Sequence, residues 1–279
     1  VVANLLHPFL IANPLAMRTS RIKAKLRRNE PTLVTALHLN DPQVFEMTSL
    51  LGFDGIWLDM EHQPRSLETA SQLIRAARVG TSDVMARCAK GEFLRMGRML
   101  ETGAQGIMYP RCDDAAEARE VVRWAKFAPQ GNRGVDGAGA DNPYCLMPLV
   151  DYLRTANAET FIVIQIEDEH ALSNVEEIAQ VDGVDVLFFG PGDFSILGGF
   201  PGEFEDPRID QAMQRIAAAA KAAGKHWGMP VLSPKNGERI LELGGRFLAN
   251  GCDQQMVRAG LEELQKKFAP LGVTFERRV

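Results

Sequence analysis

Four short apolar runs end in residues able to do chemistry: Trp57-Leu58-Asp59-Met60-Glu61-His62, Met85-Ala86-Arg87, Ile164-Gln165-Ile166-Glu167 and Phe189-Gly190-Pro191-Gly192-Asp193. Glu167 and Asp193 would bring two hard oxygen ligands together with no Cys or His beside them. That donor set suits Mg²⁺ or Mn²⁺, with positions left for water and a chelating substrate. Each acid also has a structural reading, Glu167 as the partner of an arginine and Asp193 as the cap of a following helix. His62 follows Asp59 by three residues, close enough for the carboxylate to orient an imidazole base; the alternative is a surface histidine on a loop. Arg87 inside an apolar run implies an anion nearby, a carboxylate of the fold or of a substrate, because a buried unpaired cation is costly. The glycines of Gly190-Pro191-Gly192-Asp193 let the backbone approach a ligand and lead toward exposed amide N–H groups, although ordinary turns use the same residues.

These residues form one site only if the runs are parallel strands whose ends meet. From residue 31 onward, β-rich apolar runs at 32–38, 54–59, 83–87, 106–109, 161–166, 185–189, 226–229 and 246–249 alternate with amphipathic stretches at 66–79, 92–101, 114–126, 170–180, 206–223, 234–243 and 253–267. Repeated βα units of this size predict an α/β fold, a (β/α)8 TIM barrel, whose chemistry collects at the C-terminal ends of the strands. A doubly wound open sheet is second, and it would want a glycine-rich phosphate turn where the chain instead has His38-Leu39-Asn40-Asp41-Pro42. Alternation along a strand puts Trp57 and Asp59 on one face, and Gln165 with Glu167 on another. One segment has no period: Phe127 to Pro148, rich in Gly, Pro, Asn and Asp, is expected to be a lid or binding loop.

Two divisions are expected, an N-terminal arm at 1–30 containing a basic helix from Arg18 to Arg28, and a catalytic barrel at 31–279. The net charge of −5 is mild, and the basic residues are scattered among acidic ones, so nucleic acid is not an expected partner. No apolar run approaches the roughly 18 residues that span a bilayer, and membrane attachment is not expected. Cys88, Cys112, Cys145 and Cys252 are widely spaced with no CxxC pair; they suit a reducing, cytoplasmic setting.

Over most of residues 30–265 the sequence resembles the HpcH/HpaI aldolase family, the class II pyruvate aldolases acting on 4-hydroxy-2-oxoheptanedioate and 2-keto-3-deoxy sugar acids. The carriers are FDGIWLDMEHQP, VMAR, LETGAQGIMYP, PQGNRG, VIQIED, VDGVDVLFFGPGDFS and LGGRFLANGCD, in matching order and spacing. The resemblance implies a barrel of phosphoenolpyruvate/pyruvate type and a divalent metal (Mg²⁺, or Mn²⁺/Co²⁺) held by Glu167 and Asp193 with Gln165 beside them. It further implies substrate contacts from Trp57, Arg87, Gly192 and Asp193, a base at His62 oriented by Asp59, and a supporting role for Glu101 toward a neighbouring subunit. A homohexamer, or trimer of dimers, with an exchanged C-terminal helix is likewise implied. The pattern departs after Arg133-Gly134, where many members carry an Arg-Ala-Ser run and this chain reads GAGADNPY, and again at Ala249-Asn250-Gly251.

The expected reaction is reversible cleavage of a 4-hydroxy-2-oxo acid to pyruvate and an aldehyde. Within the same fold the alternative is an oxaloacetate decarboxylase or an enzyme similar to macrophomate synthase. A Schiff-base aldolase would need a desolvated lysine at a strand end, and neither Lys90 nor Lys225 holds such a position. A catalytically silent scaffold would tolerate loss of Glu167, Asp193, His62 or Arg87, and all four are present.

Overall fold

The computed structural model describes residues 17–231 and 233–276. In chain order it runs α1 (Arg21–Arg27), β1 (Thr32–Leu37), α2 (Pro42–Leu50), β2 (Gly55–Asp59), α3 (Leu67–Ala76), β3 (Asp83–Arg87), α4 (Phe93–Glu101), β4 (Gly106–Tyr109), α5 (Ala115–Ala125) and α6 (Leu149–Glu159). It continues β5 (Phe161–Ile166), α7 (Glu169–Ser173), α8 (Val175–Ala179), β6 (Val186–Phe189), α9 (Pro191–Leu197), α10 (Pro207–Ala222), β7 (His226–Pro230), α11 (Pro234–Glu242), β8 (Phe247–Cys252) and α12 (Asp253–Phe268). The eight strands close into a parallel barrel in sequence order, with β8 pairing back onto β1 through Thr32 opposite Phe247. This is the predicted (β/α)8 architecture.

Strand alternation divides the apolar residues between two cores. Ile56, Leu58, Val84, Ala86, Ile107, Ile162, Ile164, Leu187 and Phe189 face outward and pack under the helices. Val34, Met85, Met108, Phe161, Val163, Val186, Phe188 and Phe247 fill the barrel, with Trp57 packed against them. Small inward residues make room for the rings: a Cβ on Gly106 would come within 2.3 Å of the Phe161 ring.

Helix α1 closes the floor. Ser20 caps it, accepting from the Lys23 amide, and its Ile22 and Leu26 join the inner core. Asp83, at the start of β3, accepts from the Ser20 hydroxyl and from the amides of Arg21 and Ile22, at 2.6, 3.2 and 2.9 Å. Asp54 is gripped by Arg21 and Lys25, each at 2.8 Å. The expected basic helix is therefore present over Arg21–Arg27, while arm residues 1–16 lie outside the described residues.

The aperiodic segment expected to be a lid does not cover the mouth within one chain. It is pinned to the barrel's flank: Arg133 pairs with Asp141 at 2.8 Å, Arg78 donates to the Ala140 carbonyl at 2.6 Å, and the Ala140 amide donates to the Glu101 carbonyl at 3.0 Å. At the other end of the chain, Asp253 is the single buried residue of α12. Its carboxylate accepts from the amides of His38 and Leu39, both at 2.8 Å, leaving Met256, Val257, Leu261, Leu264 and Phe268 exposed.

Candidate active site

At the C-terminal ends of β2, β3, β5 and β6 the inward parity carries polar residues above the apolar fill. Asp59 and Arg87 stand opposite one another in the β2–β3 register. Their side chains meet as a fork, Nη2 to Oδ2 at 2.7 Å and Nε to Oδ1 at 3.0 Å, a bidentate geometry that strengthens the pair. Arg87 Nε also lies 3.2 Å from Glu61 Oε2, and Nη1 reaches Gln165 Oε1 at 3.5 Å. The anion that Arg87 implied is thus a carboxylate of the fold. Beneath it, the guanidinium carbon sits 4.6 Å from the centre of the Trp57 ring. Trp57 meets Phe188 edge-on at 5.8 Å, so it separates the apolar interior from the charged mouth. Its buried Nε1 has no hydrogen-bond partner among the described residues.

Glu167 is held from three sides. Gln165 Nε2 donates to Oε1 at 2.8 Å, the Arg111 amide donates to Oε2 at 3.0 Å, and Gly190 lies so close that an added Cβ would come 2.3 Å from Oε1. Burial pushes this acid up to about 7; the Arg111 amide and Arg87 pull it down, and the nearby Asp193 and Glu61 push it further up. Glu61 is raised as well, by burial first and then by Asp59 and Asp193 against the pull of Arg87 and His62. Asp59 moves the other way, because against the penalty of burial it has the Arg87 fork and the amides of Glu61 and His62. Asp193 sits half-buried in the first turn of α9. Ahead of it, Gly192 faces open space, and the N–H groups of such a first turn have no intrahelical acceptor.

Of the residues expected from sequence, Trp57, Asp59, Arg87, Gln165 and Glu167 come together, with Asp193 close enough to act on Glu167. One expectation needs correction. The Asp59 and His62 side chains do not form a dyad. Arg87 and the amides of Glu61 and His62 occupy the carboxylate, while the exposed His62 ring lies 3.5 Å from Glu61 Oε2. Glu101, expected to act toward a neighbouring subunit, lies away from the mouth of its own chain. It ends α4 on the flank, raised mainly by burial and facing Arg133, Asp141, Asp136 and Arg98, between cavities of about 400 and 310 Å³.

Sequence reasoning missed Glu61 and the Arg111 amide as parts of the site, and read Gly190 only as part of a ligand-approach turn. Glu61 continues the parity of Trp57 and Asp59, which was the available signal. Gly190 is needed for the close approach of Glu167. No side-chain pattern could have pointed to a backbone donor. Also unforeseen was Arg65, whose buried guanidinium donates to the carbonyls of Leu37 and Asp59 and ties β1 to β2 beneath the mouth. Among the described residues no group of three or more His, Cys, Asp or Glu side chains forms a ready metal cluster.

A parallel eight-stranded barrel with buried carboxylates and an arginine at its C-terminal mouth defines the class of protein: a barrel enzyme acting on a small molecule. The HpcH/HpaI aldolase/citrate lyase family model matches residues 34–259, and the chain belongs to that family. It is 32% identical over 236 residues to the hydroxypyruvate/pyruvate aldolase of Delftia acidovorans, covering 85% of this chain and 87% of that one. It is 31% identical over 247 residues to the 4-hydroxy-2-oxo-heptane-1,7-dioate aldolase of Shigella sonnei, covering 88% and 94%. A solved HpcH/HpaI aldolase/citrate lyase family protein from Burkholderia cenocepacia superposes with a TM-score of 0.81 at 31% identity, covering 89% of this chain and 99% of that one. The chain is accordingly an aldolase, a carbon–carbon lyase.

Proposed function

We propose that the enzyme cleaves 4-hydroxy-2-oxo acids to pyruvate and an aldehyde, reversibly, with a divalent cation such as Mg²⁺, Mn²⁺ or Co²⁺ held by Glu167 and Asp193. The observation that carries this reading is the charge balance of the mouth. Arg87 is taken up by Asp59 and Glu61, while Glu167, only 4% exposed, is raised to about 7 with Asp193 among the causes. Two under-neutralised carboxylates with oxygen donors only are the chemistry a hard cation meets best. When bound, the cation would supply Lewis acidity toward the 2-oxo acid.

The chain's own residues divide the remaining work. Gln165 and the Arg111 amide hold Glu167 in one orientation. Amides of Gly192 and Asp193 receive the substrate's C1 carboxylate. Arg87, stacked on Trp57 and fixed by Asp59, faces negative charge developing on the C2 oxygen. His62, beside Glu61, takes the proton of the C4 hydroxyl. The C3–C4 bond then breaks, its electron pair passes into pyruvate enolate, and C3 is protonated afterwards.

The expected cytoplasmic setting and a homo-oligomer, hexameric in the family pattern, belong to the same reading. Support for the oligomer comes from the uncovered apolar side of α12, and Glu101 would serve the site of a neighbouring copy. A coupled pyruvate-release assay over 4-hydroxy-2-oxo acids and oxaloacetate tests the reaction. Activity abolished by chelator and restored by Mg²⁺, Mn²⁺ or Co²⁺ supports it. Release that persists in chelator, together with a borohydride-trapped pyruvate adduct, refutes it.

A further inference from the structure

We infer that the end of the barrel opposite the catalytic mouth carries a binding site for a phosphate group, built by Arg18, Arg78 and Gln105. This site is independent of the aldolase reading and would stand if that reading failed.

The three side chains line one cavity of about 210 Å³, with Gly103 and Asp141 also on its wall. Arg18 leads into α1, Arg78 follows α3 in the turn before β3, and Gln105 immediately precedes β4, so the chain delivers all three to the starting ends of the strands. Arg18 Nη2 donates to the carbonyls of Gly80 and Ser82 at 3.1 and 3.4 Å. Arg78 Nη2 donates to the Ala140 carbonyl at 2.6 Å. It also lies so near Gly103 that an added Cβ would come 2.6 Å from it, so the glycine leaves room for the guanidinium.

The donors here exceed the acceptors. Neither arginine makes an ion pair among the described residues, and the buried Nε of Arg78 has no hydrogen-bond partner among them. Gln105 is 4% exposed; its Oε1 accepts from the Val84 amide at 2.8 Å, and its Nε2 meets no acceptor among the described residues. The acids that act on the two arginines are engaged elsewhere. Asp83 accepts from the Ser20 hydroxyl and the amides of Arg21 and Ile22, and Asp141 pairs with Arg133 at 2.8 Å and accepts from the Tyr152 hydroxyl at 2.5 Å. Residues 1–16 contain no Asp or Glu, so no acidic side chain comes from the stretch preceding Arg18. Burial lowers both guanidiniums, and Arg78 lowers Arg18 further against the pull of Asp83, yet arginine keeps its proton in proteins. Two half-buried like charges are costly without a counter-ion. A phosphate group brings up to about two negative charges and three acceptor oxygens, enough to meet guanidinium N–H groups from two sides and an amide from a third. A carboxylate offers one charge and a flat pair of oxygens.

The test titrates inorganic phosphate into the metal-free full chain by calorimetry, with ionic strength held constant by chloride. It compares wild type, Arg78→Met, Arg78→Lys, Arg18→Met and a control, Arg75→Met, which removes an exposed arginine lining the neighbouring flank cavity. One phosphate per chain is expected, with Kd raised at least tenfold in Arg78→Met and in Arg18→Met, less in Arg78→Lys and not in Arg75→Met. Circular dichroism checks each fold, and Arg18→Met decides where Arg78→Met does not fold. Glycerol 3-phosphate binding more tightly than inorganic phosphate would assign the site to a phosphorylated metabolite, and the reverse order to free phosphate; both support the site. Absence of saturable phosphate binding in the wild type overturns it, as does a Kd unaltered in the folded Arg78 and Arg18 variants, or acetate bound as tightly as phosphate.

Discussion

Replacing Glu167 with Gln should change how the metal-free protein responds to pH. The native acid is raised from 4.5 to about 7, chiefly by burial. Below pH 4.5 the folded and unfolded chains both carry this proton, and the group contributes no difference. Between 4.5 and about 7 the unfolded chain releases the proton while the folded chain retains it, so stability falls as pH rises. At about 1.36 kcal/mol per pH unit, the full penalty above the upper value is about 3 kcal/mol. Glu167→Gln removes that titration and also loses an acceptor for the Arg111 amide, a cost of about 1 kcal/mol that does not vary with pH. Urea unfolding in chelator, from pH 5 to pH 8, should therefore show the wild type losing about 2 to 3 kcal/mol relative to the variant across that range. Asp83, pushed up to about 6 by burial at the barrel floor, contributes equally to both proteins and cancels. Parallel stability curves would refute the reasoning: they would mean that Gln165 and the Arg111 amide keep Glu167 ionised at ordinary acidity.

Three further substitutions follow from the geometry. Gly190→Ala drives a methyl group to 2.3 Å from Glu167 Oε1; pyruvate release should fall at least about a hundredfold, on the scale of small displacements in an active site, while circular dichroism stays that of the wild type. Arg87→Met leaves the buried Asp59 carboxylate without its fork and should cost about 3 to 5 kcal/mol in denaturant unfolding; part of it should return in the double variant with Asp59→Asn, and two additive losses would argue against a coupled pair. His62→Gln removes an exposed ring whose ion-pair contact is Glu61 at 3.5 Å; kcat should drop about 10²- to 10⁴-fold with stability unchanged within about 0.5 kcal/mol, and an unaltered kcat would remove His62 as the base.

The fold was legible because buried parallel strands are short, β-rich and bounded by amphipathic helices, and the expected strands fall close to those of the barrel. The misses have local causes. Strand β8 runs on to Cys252 through Gly251, whose φ is 74°, where the apolar pattern has already ended. The stretch 170–180 is two helices because Asn174 breaks out of helical geometry. Helix α6 starts at Leu149 behind Pro148 with no side-chain cap, so nothing marks where the aperiodic segment stops. In the site, parity found Asp59, Gln165 and Glu167, but spacing alone paired Asp59 with His62. The strand register that sets Arg87 across from Asp59 is tertiary information, and it decides which neighbour the carboxylate takes.

Equilibrium Mn²⁺ binding to the full chain, followed by electron paramagnetic resonance, tests the shared-cation site most directly. One tight ion per chain in the wild type, lost in both Glu167→Gln and Asp193→Asn and retained in Arg111→Met, is the predicted result. Binding that survives either carboxamide substitution at full strength would contradict the account.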